Sequence, residues 1–94
     1  MRVVFAPAAA RDLDDIWLEI AQDSVKNADT LIERLCDRLQ QLVTFPESGS
    51  LRREIATDAR SLTEGSYLIL YRIADAQVEI IRIIHGARDL TALL

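Results

Sequence analysis

The sequence has only one cysteine, two prolines and three glycines among its 94 residues. Because the single cysteine, Cys36, can form no disulfide within the chain and cannot anchor a zinc site alone, we expect a protein of the reducing cytoplasm. We expect Cys36 itself to be a half-buried packing residue. No uninterrupted apolar run reaches the roughly eighteen residues that a membrane-spanning helix needs. Charged side chains within the first twenty positions also argue against a secretory signal, so we predict no membrane association.

Positive charge is scarce, since eleven Lys and Arg stand against fifteen Asp and Glu. The acidic excess lies in residues 1–50, while residues 51–94 hold six Arg and six acidic side chains. Direct nucleic-acid binding calls for a strong positive excess, so we do not expect it here. Asp12, Asp14 and Asp15 form an acidic cluster that we interpret as the solvated start of a helix, where the helix dipole favours carboxylates. We predict no metal site and no cofactor.

The spacing of apolar residues predicts the element order β-α-α-β-β-β for a single domain, residues 1–94. A short strand, Arg2–Ala6, leads into a helix that begins at Pro7, a residue favoured in the first helical turn. Ser24 is a natural N-cap for a second helix, and that helix ends before Phe45–Pro46 because a residue that precedes proline avoids helical geometry. Ala59–Thr63 is predicted as a further short strand.

The last two strands are predicted at Tyr67–Ile73 and Val78–Ile84, with a turn centred on Asp75–Ala76. This turn sets a register in which residues 72 and 79, 70 and 81, and 68 and 83 are opposite, with an Arg72–Glu79 pair at the turn end. One face then carries Leu68, Leu70, Ile81 and Ile83. The other face carries Tyr67, Ile69, Tyr71, Ile73, Val78, Ile80, Arg82 and Ile84.

Two helices can cover only one face of such a sheet. We therefore predict an α+β, two-layer fold in which a helical hairpin packs on a mainly antiparallel sheet of about four strands. No segment remains to cover the second face, and an exposed apolar face is unusual for a stable monomer. We expect a partner protein to bind the face that carries Ile, Tyr and Arg.

Several segments, taken in order, resemble the ParE/RelE superfamily of bacterial toxins. They are the opening Phe5–Trp17, the loop Phe45–Ser50, the strand Arg60–Leu62, the strand Tyr67–Ile73 and the ending Val78–Asp89, which includes His-Gly-Ala-Arg-Asp. That ending is closest to the ParE branch, although Ala87 stands where that branch is expected to have an arginine.

The resemblance implies the toxin of a type II toxin–antitoxin pair, of the plasmid-stabilisation ParE kind. Members of that branch bind and inhibit DNA gyrase and have no recognised catalytic residues. The implied partner is a ParD-like antitoxin, a small DNA-binding protein that forms a hetero-oligomer with the toxin. We expect the antitoxin to contact Tyr67, Ile69, Tyr71, Ile80, Arg82 and Ile84. Candidate target-binding residues are Arg60, His85 and Arg88.

Two alternatives remain open. A RelE-like ribosome-dependent messenger ribonuclease needs a base, a cation and an acid around the scissile phosphate, and His85, Arg60, Arg72 and Tyr71 are the candidates. The glycine after His85 and the lack of surrounding positive charge weigh against this function. The second alternative is a degenerate module that binds an antitoxin but is no longer toxic.

Overall fold

The computed structural model describes residues 1–86, so Arg88 and the segment Asp89–Leu94 lie outside the described residues. The elements are β1 (Arg2–Phe5), α1 (Pro7–Ala21), α2 (Val25–Thr44), β2 (Ser50–Leu51), β3 (Ala59–Glu64), β4 (Tyr67–Ala74) and β5 (Gln77–His85). They form a sheet of order β1-β5-β4-β3-β2, in which β1 runs parallel to β5 and the other neighbours are antiparallel. The α+β plan is confirmed, and the sheet has five strands because Ser50–Leu51 adds a short strand beside β3.

The two helices begin and end where local sequence signals place them. Pro7 occupies the first turn of α1, and the Ser24 hydroxyl accepts a hydrogen bond from the backbone N–H of Asn27 at 3.1 Å, so Ser24 caps α2. The indole N–H of Trp17 donates to Asp29 Oδ1 at 2.8 Å and joins the two helices. Cys36 is exposed on α2, so the expectation that it is half-buried is wrong.

The helices pack on the sheet face that carries Ile69, Tyr71 and Ile80, each fully buried. Tyr67 lies at the margin of the same core. The prediction that these four residues form an open face is therefore wrong. Alternation of apolar residues gave the sheet two apolar faces, and that pattern alone cannot tell which one receives the helices.

The second sheet face is also covered within this chain. Its apolar side chains form a separate cluster in which Leu68 and Ile84 are 4% exposed and Ala59 and Leu70 are fully buried. The connector between β2 and β3 contributes Ile55 and Ala56 to this cluster. The prediction of an uncovered face is wrong because a short turn, closed by hydrogen bonds from the N–H groups of residues 55 and 56 to the Arg52 carbonyl, brings these side chains onto it.

The β4–β5 hairpin has the predicted turn but a different register beyond its middle. Asp75 and Ala76 have φ values of 54° and 57°, which fits the two-residue turn that matches strand twist. Arg72 opposes Glu79 as predicted, whereas residue 70 opposes 82 and residue 68 opposes 84. A β-bulge lies between these two stretches, so residue 81 is the extra one. The predicted pairs 70–81 and 68–83 are therefore wrong, and Ile83 and Ile84 exchange faces.

In the part of the chain that the structure describes, no helix is both long and apolar enough to cross a membrane. Within residues 1–86, no three His, Cys, Asp or Glu side chains are grouped so that they could hold a metal ion.

Candidate functional site

Tyr71 anchors the loop that follows α2. Its fully buried hydroxyl donates to the Pro46 carbonyl and accepts from the Gly49 N–H, both at 2.8 Å. Burial raises the pKa of Tyr71 above its ordinary value, and this outweighs the opposing effect of the bond from Gly49. A Cβ at position 49 would lie 2.5 Å from the hydroxyl oxygen, so the loop can approach the ring only because Gly49 has no side chain. Tyr71 is therefore a structural anchor rather than an accessible acid.

Arg60 holds the same loop from β3. Its Nη1 donates to the carbonyls of Glu47 and Gly49, at 3.1 and 2.9 Å. Arg60 opposes Tyr71 in the β3–β4 pairing, so the two side chains bind neighbouring parts of one loop. The sequence signal for this loop is Phe-Pro-Glu-Ser-Gly, residues 45–49.

Arg72 forms the predicted pair with Glu79 at the turn end of the hairpin. Its Nε donates to Glu79 Oε1 at 2.7 Å, and its Nη1 lies 3.8 Å from Asp58 Oδ2. The hydrogen bond to Glu79 is the main cause of the raised pKa of Arg72. The guanidinium is thus engaged with two carboxylates at one end of the sheet.

Arg82 pairs with Asp12 of α1. Nε and Nη2 of Arg82 donate to the two carboxylate oxygens of Asp12 at 2.7 and 3.0 Å, and the backbone N–H of Ile83 donates to Asp12 Oδ2 at 2.9 Å. The hydrogen bond that Arg82 donates to Asp12 is the main cause of the raised pKa of Arg82. Asp12 is therefore not part of a solvated acidic face, and Arg82, expected to contact an antitoxin, is occupied within the chain.

A polar recess lies where α1 passes the end of β5, with a volume of about 350 Å³. The rings of Tyr67 and His85 meet edge to face there, with centroids 5.6 Å apart. Asp15 and Glu19 of α1 also line this recess, which we call the α1 recess. Of the two predicted target-binding residues that the structure describes, Arg60 and His85, His85 lies in this recess, and it is exposed.

The four ribonuclease candidates are not brought together. Tyr71 lies beneath the helices, whereas Arg72 belongs to the other side of β4. His85 opposes Tyr67, five residues from Arg72 along β4, which corresponds to about 17 Å at ~3.3 Å per residue. Arg60 is directed to the loop carbonyls. Geometry thus separates the candidate base His85 from the other three, and it engages the neighbouring Arg60 and Tyr71 with one loop.

An apolar groove lies between β1 and α2 and has a volume of about 230 Å³. In the described chain β1 pairs with one strand, β5, so its other edge has no neighbouring strand there. The groove was not predicted; its residues are Val3, Phe5, Cys36, Leu39, Gln40 and Val43. Phe5, the last residue of β1, is 41% exposed.

Comparison with known proteins places the chain in a family. The family model described as ParE toxin of type II toxin-antitoxin system, parDE, matches residues 3–90. Toxin ParE3 of Caulobacter vibrioides is 28% identical over 94 residues, which cover 99% of this chain and 94% of the relative.

Two solved structures share the fold. A chain of the chromosomal ParDE TA system from P. aeruginosa matches with a TM-score of 0.77 and 20% identity, over 90% of this chain and 95% of that one. A chain of the toxin–antitoxin complex RelBE2 from Mycobacterium tuberculosis matches with a TM-score of 0.62 and 30% identity, over 89% and 95%. Because the family model matches residues 3–90, nearly the whole chain, this chain belongs to the ParE toxin family of type II toxin–antitoxin systems.

Proposed function

We propose that this chain inhibits DNA gyrase in the cytoplasm by binding to it, and that a cognate ParD-like antitoxin neutralises it. Membership of the ParE toxin family supports a toxin that works with a partner. The observation that carries the proposal is the position of Tyr71, whose hydroxyl is buried between Pro46 and Gly49. Together with the loop contacts of Arg60 and the carboxylate contacts of Arg72, it assigns three of the four candidate catalytic groups to holding the fold.

Messenger cleavage at the ribosome is the competing function. The 30% identity to a chain of the RelBE2 complex favours it. A cleavage site would have to draw together His85, Arg72 and Arg60 from different ends and faces of the sheet, with Tyr71 beneath the helices. For this reason we rank a binding function first.

Gyrase supercoiling is the test of this choice. Purified toxin should abolish supercoiling, or cause cleaved plasmid to accumulate, and added antitoxin should reverse the effect. Undiminished supercoiling at excess toxin would contradict the proposal. Cleavage of ribosome-bound messenger would then support the ribonuclease, and inactivity in both assays with retained antitoxin binding would support the degenerate module.

We propose the groove between β1 and α2 as part of the antitoxin-binding surface. The face first expected to bind the antitoxin is inside the molecule, whereas within residues 1–86 one edge of β1 pairs with no strand and lies next to exposed apolar side chains. An extended segment that adds to such an edge gains main-chain hydrogen bonds, and its alternate side chains can enter the neighbouring groove. Both solved relatives come from toxin–antitoxin systems, which supports the antitoxin as the occupant.

A pair of matched substitutions tests this surface. Phe5 and Leu51 are 41% and 43% exposed and belong to strands at opposite edges of the sheet. Phe5→Ser should weaken antitoxin binding at least about tenfold, a loss of roughly 1.4 kcal/mol, whereas Leu51→Ser should change it little. Cys36, which lines the groove, should also become about tenfold slower to alkylate in the complex. Equal effects of the two substitutions, or an unchanged Cys36 rate, would place the antitoxin elsewhere.

A further inference from the structure

The β-bulge in β5 lies within a sequence that permits two registers. Residues 80–84 read Ile-Ile-Arg-Ile-Ile, a palindrome centred on Arg82. In the observed register residues 70, 69, 68 and 67 oppose 82, 83, 84 and 85. Without the bulge they would oppose 81, 82, 83 and 84. Because isoleucine occupies both faces in either case, the apolar pattern does not choose between the two registers.

Arg82 is the residue that makes the two registers unequal. In the regular register it would oppose Ile69, which is fully buried beneath the helices. An arginine placed there without a partner carries a large desolvation penalty. In the bulged register Arg82 opposes Leu70, and its guanidinium reaches Asp12.

Asp12 holds the two residues that follow the extra one. Its carboxylate accepts two bonds from the Arg82 side chain and one from the Ile83 N–H. Strand β1 pairs with β5 only as far as Ile80, so the outer edge of β5 at Ile83 has a carboxylate where a neighbouring strand would otherwise be. The side chains of Arg82 and Asp12 are 23% and 14% exposed, so their pairing is largely shielded from water.

We propose that Asp12 and Arg82 form a register lock, which keeps β5 in its bulged pairing and thereby decides which side chains the end of β5 presents. In the bulged register His85 opposes Tyr67 and their rings meet in the α1 recess. In the regular register His85 would oppose Ser66, Tyr67 would oppose Ile84, and Ile83 and Ile84 would exchange faces. The lock is a positioning device for the α1 recess and does not depend on the identity of the toxin's target.

Methyl NMR on the full-length chain reads the register directly. In the parent, Leu68 methyls should show through-space contacts with Ile84, which shares their cluster, and Ile69 with Ile83. Asp12→Asn should produce a second set of methyl signals, about a tenth or more of the total, in which Leu68 contacts Ile83. The His85 ring protons should shift in the same second set, because the Tyr67 ring no longer lies against the His85 ring. Asp15→Asn is the matched control, since Asp15 is exposed on the same helix and lines the same recess.

A second variant covers the case in which Asp12→Asn does not fold. Asp12→Asn/Arg82→Leu removes both charges together, and replacing a whole ion pair by neutral groups is often tolerated. This double variant should populate the regular register more than Asp12→Asn, because the leucine introduced at position 82 can be buried opposite Ile69. A single set of signals with only Leu68–Ile84 contacts in a folded variant would overturn the proposal. Loss of the fold in both variants would also overturn it, because a lock that selects between registers is not needed for the sheet to form.

Discussion

Replacing Tyr71 by phenylalanine removes one oxygen atom from the middle of the protein. The substitution deletes the bond to the Pro46 carbonyl and leaves the buried N–H of Gly49 without its acceptor. Each such bond contributes about 1 kcal/mol net, and an unsatisfied buried group costs about 1–3 kcal/mol. We therefore expect the free energy of unfolding to fall by about 2 kcal/mol. For a domain of this size that corresponds to a Tm lower by roughly 8–16 °C.

Thermal and urea unfolding of the purified chain measure this effect. Tyr67→Phe is the control, since it removes the same atom from a ring at the partly exposed margin of the same core. We expect the control to stay within about 0.5 kcal/mol of the parent. A loss below about 0.5 kcal/mol for Tyr71→Phe, or an equal loss in both variants, would refute the idea that the Tyr71 hydroxyl holds the loop after α2.

Three further predictions follow from the same contacts. Gly49→Ala places a methyl group against the Tyr71 ring and the Ser61 carbonyl, so it should lower the free energy of unfolding in urea by about 1–3 kcal/mol. The control Ser48→Ala changes an exposed residue of the same loop and should stay within about 0.5 kcal/mol of the parent. Ser24→Ala removes the α2 cap and should lower the unfolding free energy by about 1 kcal/mol; an unchanged value would contradict the capping role. Because the pKa of Tyr71 is higher in the folded chain than its ordinary value of about 10, the folded state retains that proton longer. The free energy of unfolding should therefore fall as pH rises above about 10. Urea midpoints measured over a pH series should fall less for Tyr71→Phe than for the parent, and an identical dependence on pH in the two proteins would contradict this.

Some parts of the candidate site could be predicted, and the reason is their local character. The Arg72–Glu79 pair was predicted because a two-residue turn at Asp75–Ala76 determines the first cross-strand neighbours. His85 was predicted just after the last strand and lies at the end of β5, but the bulge places it opposite Tyr67 and not opposite Ser66 as the predicted register implies. The roles of Arg60 and Tyr71 were not predicted, since each binds a loop 11 to 25 residues away in sequence.

The sequence by itself determined the helices, their cap and stop, the hairpin turn and the alternation of apolar residues, because each depends on neighbours within a few positions. Tertiary structure decided which sheet face received the helices, because both faces are apolar and the alternation of apolar residues fits either one. It also decided the register of β5. The palindrome around Arg82 allows either register. In the bulged register Arg82 binds the carboxylate of Asp12, which lies 70 residues earlier in the chain.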